Sequence, residues 1–184
     1  MTERFEAAQT MEQFLAGAEN HRELWRAVYD RAQLEPAAVA AARALPERRR
    51  MLVLAEDWCG DAVNTVPYLA RLAEAVPERL ELRVLGRDDN PDLMDAHLSP
   101  AGGRAIPVVM LLDDDDYEVG WWGSRPVALQ VWFDAEGRAL GKEERYRRLR
   151  AWYARDRGRA VVREVLAIAG AELAPLEDAV LAAV

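Results

Sequence analysis

The sequence has little of what most catalytic chemistries require, beginning with a single cysteine, Cys59, among 184 residues. One cysteine cannot form a disulfide within the chain, which excludes a small fold held together by disulfides. The two histidines, His21 and His97, lie far from Cys59 in sequence, so no metal-binding spacing is present. Glycine-rich phosphate loops and the Gly-x-Ser-x-Gly motif of serine hydrolases are also missing. The chemistry that the sequence offers therefore centres on one thiol.

Long apolar runs and positive net charge are missing as well. No run approaches the ~20 apolar residues that a membrane-spanning helix needs, and the charged N-terminal segment lacks the apolar core of a signal peptide. The formal net charge of −8 argues against a general nucleic-acid binder. With 51% hydrophobic residues, the composition is that of a globular protein. These features predict a cytoplasmic protein that binds neither nucleic acid nor membrane.

The most informative stretch is residues 51–69, in which an apolar run is followed by a short polar turn and then by a helical pattern. The run 51–55 predicts a buried strand, and Trp58-Cys59-Gly60-Asp61 follows it. Apolar residues then recur at steps of three and four, which predicts a helix. Cys59 is therefore placed where a strand ends and a helix begins. Unpaired N–H groups at a helix start carry partial positive charge, which favours a thiolate.

This pattern, with Pro67 kinking the helix and Ile106-Pro107 opening a later apolar strand, resembles the thioredoxin superfamily over residues 48–125. The resemblance implies an α/β fold with a central mixed sheet flanked by helices, and a cis Ile106–Pro107 bond lying against the cysteine. The alternative for Pro107 is an ordinary trans proline at a strand start. In the family, this proline presents the preceding backbone to an extended substrate chain, which pairs with it as an added strand. The resemblance implies that Cys59 is the catalytic residue and that the substrate-binding residues are Trp58, Gly60, Asp61, Ile106 and Pro107.

The sequence departs from the family's Cys-x-x-Cys pattern, because the motif reads Trp-Cys-Gly-Asp-Ala. Ala62 stands where the second cysteine is expected, and Val53 stands where the family often has a buried acid. Dithiol chemistry within the chain is therefore excluded. The first remaining hypothesis is a monothiol oxidoreductase that forms a mixed disulfide with a protein or low-molecular-weight disulfide. It needs no bound cofactor, but it needs an external thiol such as glutathione for resolution.

Two other hypotheses remain beside the monothiol oxidoreductase. The chain could be a binding or scaffold protein with a thioredoxin fold and no turnover. Reduction of peroxide through a sulfenic acid at Cys59 ranks lowest, because the threonine and arginine environment expected of peroxiredoxins is not visible in the sequence around Cys59.

The neighbours of Cys59 oppose its activation. Glu56, Asp57 and Asp61 lie within three residues, and nearby negative charge raises the pKa of a thiol. A helix start is worth only ~0.3–1 kcal/mol, which one carboxylate a few ångströms away can match. The sequence leaves open whether Cys59 is a surface-accessible thiolate or a half-buried cysteine acting as a small apolar residue.

The sequence contains no internal repeat and no low-complexity linker, so a single domain is predicted. The resemblance implies a thioredoxin-like core over residues 48–125, with a helical extension over residues 1–47 and a C-terminal helical region over 126–184. In the extension, hydrophobic periodicity predicts three helices, at residues 2–18, at 20–33 with Asn20 as N-cap, and at 36–45. In the remaining chain it predicts a strand at 80–86 parallel to the first strand, a helix at 91–98, a strand at 107–112, a hairpin around residues 113–116, a helix at 142–169 broken at Gly158, and a final turn at 179–184.

Four charged or aromatic segments allow two interpretations each. Residues 47–50 form either a solvated basic turn or a contact for an acidic partner. The aspartates at 113–116 indicate a solvated turn more than a cation site. For the Trp121-Trp122 pair and Arg125, one interpretation is that Arg125 or one of the tryptophans reaches the cysteine side. The other is that the pair packs in the core beside an exposed arginine. For the arginines of residues 152–159, one interpretation is a site for an anionic group such as the carboxylates of glutathione. The other is that they form salt bridges with nearby acids.

Overall fold

The computed structural model describes residues 1–173, in which a mixed four-stranded sheet has the order β2-β1-β3-β4. β1 (Arg49–Ala55) pairs parallel to β2 (Leu80–Gly86) and antiparallel to β3 (Val108–Leu112), and β3 pairs antiparallel to β4 (Glu118–Gly123). Residues 51–55 and 108–112 are buried without alternation, because both faces of the two central strands are covered. The predicted α/β class and the parallel pairing of the first two strands are confirmed.

Helices cover the sheet and account for most of the remaining described chain. They are α1 (Thr2–Ala7), α2 (Met11–Gly17), α3 (Arg22–Arg31), α4 (Pro36–Arg43), α5 (Gly60–Val63), α6 (Val66–Ala75), α7 (Pro91–Ala96), α8 (Val127–Ala135), a 3₁₀-helix (Gly137–Ala139), α9 (Lys142–Asp156) and α10 (Arg159–Ile168). In residues 1–173, none of these helices combines the length and the apolar character that crossing a membrane requires.

The N-terminal helices share one apolar core with the sheet. Phe5, Met11 and Trp25 belong to the same buried cluster as the residues of β1 and β3. A second, smaller cluster lies between α8 and α9 and contains Trp132 and Tyr153. The thiol site is therefore held between a large core on the sheet side and a small one on the C-terminal side.

Two predictions about the N-terminal helices are wrong. The helix expected at residues 2–18 is broken at residues 8–10, because Gln9 pairs its backbone with Val84 beside β2. Thr10 then caps α2 through a capping box with Gln13. Asn20 is not the cap of α3, which begins after His21; the Asn20 side chain instead donates a hydrogen bond to Asp57.

The helix predicted after Cys59 is divided in two. α5 ends at Val63 and α6 begins at Val66, with the Thr65 hydroxyl donating to the Asp61 carbonyl oxygen across the break. Pro67 is the second residue of α6, where a missing N–H group leaves no intrahelical bond unmade. The expected kink is thus a complete break just before the proline.

The predicted solvated turn at 47–50 is wrong for Arg49 and Arg50, which belong to β1, and the one at 113–116 is wrong for Asp116. Arg50 belongs to β1 and pairs with Leu112, the last residue of β3, so the following hairpin brings Asp116 back to it. The Arg50 guanidinium lies 2.6 Å from a carboxylate oxygen of Asp116, and the Asp116 side chain is buried. This ion pair fastens the hairpin to the start of the central strand.

The predicted break between the last two helices is confirmed at Gly158. Arg157 and Gly158 both have positive φ, which ends α9 and separates it from α10. Asp156, two residues before the N-cap Gly158, accepts a hydrogen bond from the backbone N–H of Ala160 in the first turn of α10 at 3.1 Å. Burial of this carboxyl raises its pKa to about 6. The turn predicted at 179–184, after Pro175, lies outside the described residues.

The raised pKa makes stability depend on pH at Asp156. A carboxyl whose pKa is higher in the folded than in the unfolded protein stabilises the fold when protonated, and that contribution is lost as pH rises from about 4 through 6. We expect the wild type to lose about 3 kcal/mol of stability relative to Asp156→Asn between pH 4 and 7. Urea unfolding at each pH measures this difference. The exposed carboxylate variant Asp30→Asn is the control, and a pH-independent difference for Asp156→Asn would contradict the expectation.

Candidate thiol site

Cys59 lies at the junction of β1 with α5, where it is the N-cap residue. Its Sγ accepts a hydrogen bond from the backbone N–H of Ala62 at 3.4 Å, as expected for a group at a helix start. The thiol donates in turn to the carbonyl oxygen of Ile106, also at 3.4 Å. The residue is only 7% exposed, so the alternative of a surface-accessible thiolate does not describe the resting site.

The segment opposite the sulfur is Ile106-Pro107, which leads into β3. The peptide bond between these residues is cis, and both side chains are buried. Gly123, at the end of β4, approaches them closely, because a Cβ atom at this position would lie 2.7 Å from the Pro107 carbonyl oxygen. The absence of a side chain at Gly123 therefore lets β4 pack against the segment that faces the thiol.

Asp61 connects the turn that carries the cysteine to two distant parts of the chain. Its Oδ2 lies 2.6 Å from Nη2 of Arg125, and its Oδ1 accepts a hydrogen bond from the hydroxyl of Tyr153 at 2.9 Å. The Arg125 guanidinium also stacks over the ring of Phe133 at 4.3 Å from its centroid and donates to Gln130. Of the two interpretations of Arg125, the structure supports the one in which it reaches the cysteine side.

The electrostatics of the site oppose ionisation of the thiol overall. Burial raises the pKa of Cys59, and the negative charge of Asp61 raises it further. The N–H group of Ala62 and the charge of Arg125 lower the pKa of Cys59, but they offset only part of the increase. Burial, followed by the neighbouring Asp61 carboxylate, also raises the pKa of Tyr153 well above its ordinary value. Tyr153 is therefore a neutral hydrogen-bond donor at neutral pH.

The other two acids near the cysteine have partners elsewhere. Asp57 accepts hydrogen bonds from the backbone N–H groups of Glu19 and Asn20, and its own carbonyl oxygen accepts from the indole N–H of Trp25. Glu56 accepts a hydrogen bond from a backbone N–H in the segment after β2. Asp57 thus ties the N-terminal helices directly to the cysteine-bearing turn.

Trp58 and Gly60 form the exposed surface beside the sulfur. Trp58 is exposed rather than packed in the core, and the guanidinium of Arg87 lies over its ring at 4.9 Å from the centroid. Gly60 is exposed too, and a Cβ atom there would meet nothing within 4 Å. The space outside the motif turn is therefore open at Gly60.

The tryptophan pair and His97 belong to the packing of the protein rather than to the thiol site, and His21 is exposed at the start of α3. Trp122 is buried and donates to Glu164, whereas Trp121 packs edge-on against His97. His97 in turn contacts a carboxylate oxygen of Glu118 at 2.9 Å. In the described part of the chain, no group of three or more metal-binding side chains is positioned to hold a metal ion.

The residues of the arginine-rich segment 152–159 have different partners and different exposure. Tyr153 points to Asp61, and Arg159 donates to the backbone carbonyl oxygens of Arg155 and Asp156 rather than to an acid. Arg155 and Arg157 are exposed. The contribution of this segment to the site is therefore a tyrosine. The sequence carried no signal that linked it to Asp61, which lies 92 residues earlier.

Comparisons with known proteins agree with this architecture. A family model described as Thioredoxin matches residues 8–138. The crystal structure of a protein of unknown function from Pseudomonas aeruginosa is similar, with a TM-score of 0.70, 22% sequence identity and coverage of 91% of this chain and 95% of that one. The crystal structure of an HIV epitope-scaffold is also similar, with a TM-score of 0.70, 21% identity and coverage of 93% and 98%. At these identities, the two structures show the fold alone. No curated protein matches the sequence at a significant level.

Proposed function

We propose, since the chain belongs to the thioredoxin family, that Cys59 carries out monothiol thiol–disulfide exchange with a protein or low-molecular-weight disulfide. The observation that carries the proposal is the position of the sulfur. It lies at the start of α5, where it accepts the Ala62 N–H, and it faces the backbone of the cis Ile106-Pro107 segment. A thiolate requires an N–H donor such as that of Ala62, and an extended substrate chain requires a backbone partner such as Ile106. Both lie within hydrogen-bonding distance of the sulfur.

The exchange takes place in two displacements at sulfur. The Cys59 thiolate attacks one sulfur of the substrate disulfide, a new S–S bond forms, and the other sulfur leaves with the electron pair and takes a proton from water. Ala62 carries no thiol to attack the product, so the mixed disulfide persists. An external thiolate, for example that of glutathione, then attacks the substrate sulfur of this bond and releases Cys59 as a thiolate. Such a cycle suits the cytoplasm, where glutathione keeps thiols reduced, and it needs no bound cofactor.

Ionisation of the thiol and substrate binding are coupled in this proposal. In the resting site, the thiol donates a hydrogen bond to the Ile106 carbonyl oxygen. A thiolate has no proton and cannot make this bond. Ionisation therefore frees that oxygen to accept a backbone N–H from an extended substrate segment, which pairs as an added strand. Gly60 leaves room for this segment, and the exposed ring of Trp58 offers it an apolar surface.

A second candidate function is binding without turnover. It is favoured by the burial of the sulfur and by the raised pKa of Cys59, both of which keep the thiol protonated and shielded at neutral pH. On this alternative, the exposed surface at Trp58 and Gly60 holds a partner chain, and the cysteine contributes only packing.

Reaction with oxidised glutathione separates the two functions. We expect a mixed disulfide at Cys59 to accumulate, with a rate that increases about tenfold per pH unit while the pH is below the pKa of the thiol. Mass spectrometry measures the adduct, and added reduced glutathione should remove it. Cys59→Ser is the control that cannot form it. If the folded protein remains unmodified at every pH and reacts only after unfolding in urea, the exchange function is rejected and binding without turnover is favoured.

A further inference from the structure

We infer that Arg125 and Tyr153 are positioning residues that set the ionisation of Cys59 by holding and neutralising the carboxylate of Asp61. This inference deepens the proposed exchange function and rests on it for its purpose, since a monothiol reaction begins with the thiolate. Neither residue contacts the sulfur through a hydrogen bond that the structure describes. Arg125 acts on Cys59 through Asp61 and through its own charge, and Tyr153 acts through Asp61.

The geometry gives each oxygen of the Asp61 carboxylate one partner. Oδ2 is paired with the guanidinium of Arg125, from the loop after β4, and Oδ1 accepts from the hydroxyl of Tyr153, on α9. Asp61 belongs to the first turn of α5, two residues after the cysteine. A carboxylate held at both oxygens cannot rotate toward or away from the sulfur. Its distance from Cys59 is therefore set by parts of the chain outside the motif.

The charges explain why this carboxylate needs a partner. A thiolate at Cys59 and the carboxylate of Asp61 repel each other, so an unpaired Asp61 would keep the thiol protonated. Arg125 supplies the compensating positive charge, and its side chain is only 19% exposed, so water screens it little. The ring of Phe133 beneath the guanidinium fixes its place. Consistent with this, Asp61 raises the pKa of Cys59 and Arg125 lowers it.

Other charged groups around the site have different partners. Asp57 accepts from the turn at Asn20, and Glu56 accepts from the backbone after β2. Arg87 lies over Trp58 and donates to Asp88. The groups that face Cys59 from the packed elements are thus Asp61 on α5, Arg125 after β4 and Tyr153 on α9.

The inference predicts opposite effects for the two members of the ion pair. Removing the positive charge in Arg125→Gln leaves Asp61 unpaired, so the thiolate should form at higher pH. Removing the negative charge in Asp61→Asn leaves Arg125 unpaired beside the sulfur, so the thiolate should form at lower pH. A network with a purely structural role would loosen the site in both variants and would shift the titration in the same direction.

The titration of Cys59 in the 184-residue chain tests this directly. Thiolate absorbance and the rate of alkylation by iodoacetamide are measured against pH. For Arg125→Gln, alkylation at pH 7 should fall about tenfold for each unit of upward shift, and Arg125→Lys should restore most of it. Tyr153→Phe should shift the midpoint upward by less, because it removes only one hydrogen bond to Asp61. Arg87→Gln, at the arginine beside Trp58, is the matched control and should titrate like the wild type.

Two results would overturn the inference: shifts of Asp61→Asn and Arg125→Gln in the same direction, or a shift of Arg87→Gln as large as that of Arg125→Gln. If Arg125→Gln does not fold, the direction of the shift in Asp61→Asn decides. Alkylation needs no disulfide substrate, so its outcome is independent of the exchange assay. The predicted shifts without a glutathione adduct would reject the exchange function while leaving the role of the ion pair intact.

Discussion

Replacing Trp25 by alanine is expected to lower the free energy of unfolding by about 3–5 kcal/mol. Trp25 is 0% exposed, and its ring packs edge-on against Phe14 at 5.0 Å between centroids. Its indole N–H donates to the carbonyl oxygen of Asp57 at 2.8 Å. The substitution therefore leaves a large cavity where α3 packs against α2, α5 and α6, and it removes the donor to a partly buried carbonyl oxygen beside the motif.

Urea unfolding followed by circular dichroism measures this loss. Leu24 precedes Trp25 on the same helix but is 44% exposed, so Leu24→Ala is the matched control, with an expected change within about 0.5 kcal/mol. The same experiment tests the place of the N-terminal helices in the fold. If Trp25→Ala costs no more than Leu24→Ala, these helices are not part of the core that supports the cysteine turn.

Replacing Gly158 by alanine is expected to cost about 2–5 kcal/mol, from two separable causes. Gly158 has φ of +74°, a conformation that L-residues other than glycine adopt at a cost. A Cβ atom there would also lie 2.1 Å from Cγ of Tyr68, so the ring or the helix junction must move. The junction orients α9, which carries Tyr153 to Asp61, so the damage should extend to the thiol site.

Gly170→Ala separates the two causes. Gly170 has φ of +94°, but a Cβ atom there would meet nothing within 4 Å. Its replacement should therefore show only the backbone cost of about 1–2 kcal/mol. The excess loss in Gly158→Ala, measured as the difference in free energy of unfolding, belongs to the contact with Tyr68. Equal losses in both variants would mean that the ring of Tyr68 moves aside freely.

Several elements follow from local sequence alone. The apolar run 51–55 and the alternation at 80–86 predict the two parallel strands, and the apolar residues after Ile106-Pro107 predict the third. The position of Cys59 between strand and helix also follows, because it depends only on where one periodicity stops and the next begins. The break at Gly158 belongs to the same class.

The errors in the predicted helices came from competing partners. Asn20 had the sequence context of an N-cap, but Asp57 offered its side chain and backbone a better set of hydrogen bonds. The break at residues 8–10 has a local signal in Thr10 and Gln13, but its cause is the backbone pairing of Gln9 with Val84. Helix α8, at Val127–Ala135, was not predicted as a separate element within the C-terminal helical region.

The sequence by itself determined the fold class, the place of the sulfur on a helix start and the exclusion of dithiol chemistry. Only the tertiary structure decided that this sulfur is buried, that Arg50 meets Asp116, and that Arg125 and Tyr153 share the carboxylate of Asp61. The physical reason is the distance along the sequence over which each effect acts. Periodicity and capping act over a few residues, whereas the pKa of a thiol depends on burial and on charges that approach only when distant elements pack together.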